Sequence, residues 1–206
     1  MKKSILLPIL SIALATLILF GASLGLNGIA AKNAQAEHLQ IMQTILPGST
    51  EFTVEPYSGE DANIRSVHKG ETGFVVETVT AGYAGDITMM IGVSKQGKVT
   101  GLVVRELSET RGLGANALTD HEFLAQYLNA SGEFTVVTDG VDAFSGATGE
   151  GEAAGKETAV SADGTVEVDA ITGATVTSKA ITRCVNSAVA YVTGADTVSA
   201  ATSWGG

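Results

Sequence analysis

Asp86–Val93, "DITMMIGV", is followed by the link "SKQGK" at 94–98 and by "VTGLVVREL" at 99–107. The first run alternates, placing Ile87, Met89, Ile91 and Val93 on one face of a strand, and the second is β-branched and apolar on both faces. Two such runs joined by a short glycine-containing link make an antiparallel hairpin. Upstream, "EFTVEPY" (51–57), "NIRSVHKG" (63–70) and "GFVVETVTAGYAG" (73–85) read as further strands with equally short links. Downstream, "LTDHEFLAQYLN" (118–129) predicts a helix capped by Thr119, with Glu122 at capping-box spacing and Phe123, Leu124, Tyr127 and Leu128 on its buried face. The strand "GEFTVVT" (132–138), a short strand in "GTVEVDA" (164–170) and a helix over 177–192 complete the pattern. That last helix carries an inner stripe of Ile181, Cys184, Val185, Ala188 and Val192. Strands then helices, with hairpin-length links, predict an α+β fold whose mainly antiparallel sheet is flanked by helices.

The amino end belongs to a different solvent. Residues 4–31 carry no charge, and "ILLPILSIALATLILFGASLGL" (5–26) is long enough to cross a bilayer, which takes about 20 apolar residues. Ala34-Gln35-Ala36 has the small-x-small form of a signal cleavage site, but signal cores run only about 7–15 residues, so length favours a retained anchor. Lys2 and Lys3 precede the span, which leaves the amino end in the cytoplasm and the rest on the extracytoplasmic side of the cell (inner) membrane. The expected organisation is a cytoplasmic end and single transmembrane helix at 1–31, a helical stalk at 32–50 ending in Pro47-Gly48, a domain at 51–194 and a tail at 195–206 containing Trp204. Within the domain, 139–168 is an acidic, glycine-rich loop: Asp139 to Asp169 holds eight acids against one lysine, with six glycines.

Without Lys2 and Lys3 the chain has 10 basic against 22 acidic side chains. A surface so acidic repels nucleic acid, and no nucleic-acid partner is expected. The single cysteine, Cys184, excludes an intrachain disulfide and a thiolate-bound iron–sulfur cluster. His38, His68 and His121 are scattered, no metal site is expected, and no nucleophile elbow or Walker loop occurs. No catalytic residue of the chain's own is evident, so the chemistry must come from something bound.

Asp169–Thr175, "DAITGAT", is the candidate for holding it. Thr175 stands where the last helix starts, and unpaired N–H groups there, backed by the helix dipole, stabilise an anion such as phosphate. Gly173 and Ala174 let backbone approach a ligand, while Thr172, Thr175, Thr177 and Ser178 gather hydroxyls. A plain helix cap, with Thr175 or Thr177 as N-cap, explains the same letters. A near-copy at Asp142–Thr148, "DAFSGAT", is followed by "GEGEAAGKE", whose acids and glycines disfavour both a phosphate and a helix start. Thr148 stays as the minor alternative acceptor.

"DAITGATVTSKAI" resembles the flavinylation motif Asp-x-x-(Ser/Thr)-Gly-Ala-(Ser/Thr), and "AGYAGDITMMIGVSKQGKVTGLVVRELSETRGLG" resembles a block of the RnfG/NqrC family of membrane-anchored flavoprotein subunits; RnfG is the nearer in length. The resemblance implies FMN joined covalently by phosphoester to Thr175, installed by a separate flavin transferase from FAD. It implies Asp169, Thr172, Gly173, Ala174 and Thr177 as cofactor-binding and recognition residues, and a loop of Glu109, Thr110, Gly112, Leu113 and Gly114 beside the isoalloxazine. The family usually has proline where this chain has Arg111, which leaves the loop's shape open.

The function so implied is electron transfer within a redox-driven, ion-translocating Rnf-type ferredoxin:NAD oxidoreductase, as a subunit with no independent catalytic activity and with the complex's other membrane subunits as partners. A stand-alone anchored flavin sensor or accessory redox protein is the alternative. Gly112–Ala117 also satisfies a dinucleotide-binding fingerprint, but the preceding hairpin is antiparallel where that fingerprint needs a parallel βαβ unit.

Overall fold

A computed structural model describes position 16 and residues 32–107, 120–138 and 164–195. The expected anchor, position 16 apart, lies outside the described residues, as do Glu109, Thr110, Gly112, Leu113, Gly114, Thr148 and Trp204. Among the described residues no helix is long and apolar enough to cross a membrane.

Five strands form one antiparallel meander in chain order: β1 (Thr53–Glu55), β2 (Ile64–Lys69), β3 (Gly73–Ala81), β4 (Asp86–Ser94) and β5 (Val99–Leu107). The predicted hairpin is the β4–β5 pair, in register from Ile87 opposite Leu107 to Val93 opposite Val99. The long run 73–85 ends as a strand at Ala81, because Gly82–Gly85 turns tightly, the Gly82 N–H donating to the Gly85 carbonyl at 2.8 Å. Ile87, Met89, Ile91 and Val93 share the main core with Val67, Val76 and Val99.

One-faced burial of β4 was the expectation from its alternation, yet every residue from Ile87 to Val93 is buried. The reason lies in a helix over residues 32–45, α1, whose end covers the sheet's second face. Gly92 and Gly101 face each other across the β4–β5 ladder. A Cβ on Gly101 would sit 2.7 Å from Ile45 Cα, and one on Gly92 would run into the Ile45 carbonyl oxygen. That oxygen instead accepts from the Thr100 hydroxyl at 2.6 Å. Met42, Ile45 and Leu46 are buried there, and the compact unit begins at Met42. The expected stalk boundary at 50 therefore moves: residues 42–50 pack as part of the domain.

Beyond the meander, β6 (Phe134–Val137) and β7 (Val166–Asp169) pair parallel in a second, two-stranded sheet, an arrangement the mainly antiparallel expectation did not contain. Before β6 comes a short helix, α2 (His121–Ala125). Its N-cap is Asp120 rather than Thr119, since the Asp120 carboxylate accepts from the N–H groups of Glu122 and Phe123 at 2.9 and 3.1 Å. The capping-box spacing to Glu122 consequently lapses. Phe123 and Tyr127 enter the core, Leu124 is half-buried, and Leu128 turns out to solvent.

The last helix, α3 (Thr175–Thr193), lies over β3 and β4 and closes the core with Ile181, Cys184, Val185 and Ala188; Val192 is half-buried at its margin. Arg183 donates to the Ala81 carbonyl at 3.0 Å, at the end of β3, and Tyr191 meets Phe74 edge-on at 5.8 Å, at its start. The helix thus runs antiparallel to β3, and Thr175 comes out at the end of the sheet marked by the β3–β4 turn. Leu107, from which the chain leaves β5, pairs with Ile87 at that same end.

Candidate functional site

The candidate site is the turn that carries the chain from β7 into α3. Ala170 donates to the Val137 carbonyl at 2.9 Å, the last rung beside β6. Ala174 then donates to the Ile171 carbonyl at 2.9 Å, closing a four-residue turn with Thr172 and Gly173 at its apex. Gly173 has a φ of 80°, the left-handed value found at the third position of a type II turn, which glycine adopts without penalty.

Two side chains hold this turn from behind. Gln126, just beyond α2, clamps Asp169 by its backbone: Oε1 accepts from the Asp169 N–H at 2.8 Å and Nε2 donates to its carbonyl at 3.4 Å. Ser178 Oγ accepts from the Ile171 N–H at 3.2 Å. The adjoining interior is also tied, with Tyr127 Oη 2.8 Å from Thr182 Oγ1 and the Thr182 hydroxyl donating to the Ser178 carbonyl at 2.9 Å. Burial pushes the Tyr127 phenol well above its ordinary pKa and the Cys184 thiol up to about 11. Both groups stay neutral and protonated at physiological pH. Cys184 is a buried free thiol, as its place on the inner stripe predicted.

The front of the turn is left open. Ala174 is the N-cap, so neither Thr175 nor Thr177 plays that part, and no side chain caps the helix. The first intrahelical bond runs from the Ser178 N–H to the Ala174 carbonyl at 2.8 Å. The N–H groups of Thr175, Val176 and Thr177 therefore have no intrahelical acceptor. The first turn contains no acidic residue, and exposed Lys179 follows one turn after Thr175. Uncapped N–H groups, the positive end of a 19-residue helix and a nearby ammonium suit an anion held at Thr175.

Of the residues expected to form the site, Asp169, Thr172, Gly173, Ala174 and Thr175 come together in this turn. Thr172, Gly173 and Asp169 are exposed, Thr175 is half-buried and Ala174 forms a buried floor. The expected hydroxyl cluster divides. Thr172 and Thr175 lie on the outer side, whereas Thr177 and Ser178 are buried, and Ser178 spends its oxygen on the turn's backbone. Gln126 and Arg183 were not anticipated. Gln126 acts on a residue 43 positions away and Arg183 on one 102 positions away, and nothing local in the sequence marks such pairs.

A family model described as an FMN-binding domain matches residues 82–190. The chain is 35% identical over 120 residues to the G-type subunit of the Na(+)-translocating ferredoxin:NAD(+) oxidoreductase complex of Acetobacterium woodii, covering 57% of this chain and 47% of that protein. It is 32% identical over 174 residues to the G-type subunit of the ion-translocating oxidoreductase complex of Methanosarcina acetivorans, covering 78% of each. The chain spans about half the length of the Acetobacterium woodii protein and of its Clostridium ljungdahlii counterpart, at 47% and 53%. Among solved structures, the crystal structure of Shewanella oneidensis NqrC aligns over 70% of this chain and 65% of that one, at 21% identity and a TM-score of 0.42.

Proposed function

Because the chain belongs to the FMN-binding domain family and, within it, to the RnfG/NqrC family of ion-translocating oxidoreductase subunits, we propose that it is the anchored electron carrier of an Rnf-type ferredoxin:NAD oxidoreductase. Its FMN is esterified to Thr175. The observation that supports this reading is the start of α3 at Thr175, which has no side-chain cap and no acid in its first turn, while Gln126 and Ser178 bond the turn that leads into it. The residues fit the group: the ester phosphate keeps a negative charge, and the helix start offers N–H donors with no acid in its first turn.

Attachment requires a flavin transferase. The Thr175 oxygen bonds to the FMN phosphorus as the pyrophosphate bond of FAD breaks, AMP leaves and the hydroxyl gives up its proton. Asp169, Thr172, Gly173 and Ala174 present the acceptor in a fixed shape. The flavin ring, once bound, supplies the electron chemistry, and the chain holds, shelters and orients it. The chain leaves Leu107 at the end of the sheet where Thr175 emerges, which supports Glu109, Thr110, Gly112, Leu113 and Gly114 as neighbours of the ring. A covalent tether suits a carrier outside the cytoplasm, since it fixes the local flavin concentration against dilution. The apolar run at 5–26 anchors the domain in the cell membrane with the carboxyl-terminal part outside. The complex's other membrane subunits exchange electrons with it.

The test is intact-mass analysis and in-gel flavin fluorescence of the full chain produced with a flavin transferase. One FMN adduct is expected on the native chain, none on Thr175→Ala, and an undiminished adduct on Thr148→Ala. A native chain weighing no more than its amino acids overturns the reading. Copurification with membrane subunits bearing iron–sulfur centres checks the assembly; a chain that purifies alone favours the stand-alone sensor.

A further inference from the structure

Three side-chain oxygens among the described residues are shut off from solvent without a hydrogen-bond partner: Glu55 Oε2, Asp61 Oδ2 and Thr78 Oγ1. Native interiors hold few such atoms, and each calls for an explanation, commonly a bound water or ion. The last two meet on the flank of α3 turned away from Thr182 and Tyr127. The Asp61 carboxylate is fixed by its other oxygen, Oδ1, which accepts from the Asn63 N–H at 2.9 Å and from Asn63 Nδ2 at 2.8 Å. That Nδ2 also donates to Ser187 Oγ at 3.3 Å, so the carboxylate lies against the helix about one turn beyond Cys184. Thr78 reaches the same place from the sheet. It pairs with Ile64, and the Val79 N–H beside it donates to the Asn63 carbonyl at 2.7 Å. Thr78 and Cys184 are both 0% exposed. The thiol feels both neighbours: against the upward push of burial, the Thr78 hydroxyl lowers its pKa and the Asp61 charge raises it further.

We propose that one ordered water molecule is bound in the seam between β3 and α3, accepting from the Thr78 hydroxyl and donating to Asp61 Oδ2 beside the Cys184 thiol. A hydroxyl has a proton to give and a carboxylate oxygen can only accept, yet no direct bond joins these two. A water satisfies both at once. Buried water takes two to four polar partners, and the seam supplies the hydroxyl, the carboxylate oxygen and the thiol as a weak third. A hard cation takes about six to eight oxygens, more than the seam offers, and among the described residues no group of three His, Cys, Asp or Glu side chains could hold a metal. The ligand is therefore neutral. Its bridge ties the link between β1 and β2, through Asp61, to the middle of β3 under α3. Nothing in the site depends on what Thr175 carries.

The sign of one substitution separates a hydroxyl that carries a water from a bare one. Valine has the shape of threonine. Replacing a bare buried hydroxyl removes an unpaired polar group and leaves the protein as stable or more so, whereas replacing one that carries a water strands the Asp61 oxygen as well. The experiment uses the full chain, in a high-resolution crystal structure and in thermal unfolding. Wild type is expected to show a density peak within hydrogen-bond distance of both Asp61 Oδ2 and Thr78 Oγ1, with no anomalous signal after a rubidium soak. Thr78→Val should lose the peak and unfold several degrees lower. Thr78→Ser keeps the hydroxyl and should keep the peak. No peak in wild type, a rubidium signal at its position, or a Thr78→Val chain that unfolds at or above the wild-type midpoint overturns the proposal. Should Thr78→Val fail to fold, the wild-type and Thr78→Ser maps decide it.

Discussion

At its carboxyl end α3 stops at Gly194, whose φ of 69° turns the chain away while its N–H bonds to the Ala190 carbonyl at 2.9 Å. Tyr191, three residues earlier, packs edge-on against Tyr57 and Phe74, each at 5.8 Å. At its amino end the same helix follows Ala174 with no side-chain cap, and its turn is bonded from behind by Gln126 and Ser178. One end is finished by the chain's own groups, and the other has no side-chain cap among the described residues. The difference between the two ends is the ground on which the proposal of an anion held at Thr175 can be tested.

The largest expected contrast between the ends is chemical. Thr175→Ala takes covalent FMN from one per chain to none by mass, while Thr193→Ala, which removes only a hydroxyl bond to the Val189 carbonyl at 2.9 Å, leaves loading intact. Equal loading in both variants would erase the distinction. Between the ends, the buried middle sets an alkaline limit. Native Cys184 keeps its proton up to about pH 11, against an ordinary value of 9.0. The native state therefore holds more protons than the unfolded chain above pH 9, and stability falls as pH rises from about 9 through 11, by at most roughly 2–3 kcal/mol from this thiol. Denaturant unfolding at pH 8 and pH 10.5 should show that slope in wild type and a shallower one in Cys184→Ala.

Ser178→Ala strips the Ile171 N–H of its acceptor. It should cost about 1 kcal/mol, the usual net worth of a hydrogen bond, since this donor is only part-buried, and slow FMN attachment because the turn loosens. A wild-type attachment rate in a destabilised Ser178→Ala chain would show that the turn's rigidity is not used. Smallest is Gly194→Ala, which forces an alanine into left-handed backbone at a cost of about 1 kcal/mol. Its thermal midpoint should drop by a few degrees with loading and attachment rate unchanged.

What the sequence discloses depends on how local the governing contacts are. Alternation in "DITMMIGV" and the glycine link after it found the β4–β5 pair, because a hairpin's partners are neighbours in the chain. The inner stripe of α3 was legible for the same reason: its period lies within one segment. Burial of β4 on its second face was not, since the cover comes from Ile45, some 45 residues upstream, meeting glycines whose meaning is the absence of a side chain. Nor was the β6–β7 pairing, whose partners are about 30 residues apart with an acidic run between them. At the candidate site, the motif marked out the segment that forms the turn into α3, while the clamp by Gln126 and the tie from Arg183 to the β3–β4 turn exist only in three dimensions.

The parallel pairing of Phe134 with Val166 and Val137 with Asp169 has a further consequence. A parallel pair cannot be closed by a tight turn, so the chain leaving Val137 must travel back the full length of β6 before Val166 begins. The register then depends on the two strands alone and is indifferent to how many residues make the return trip. A reporter peptide inserted between β6 and β7 is accordingly expected to leave the Asp169–Thr175 turn in place.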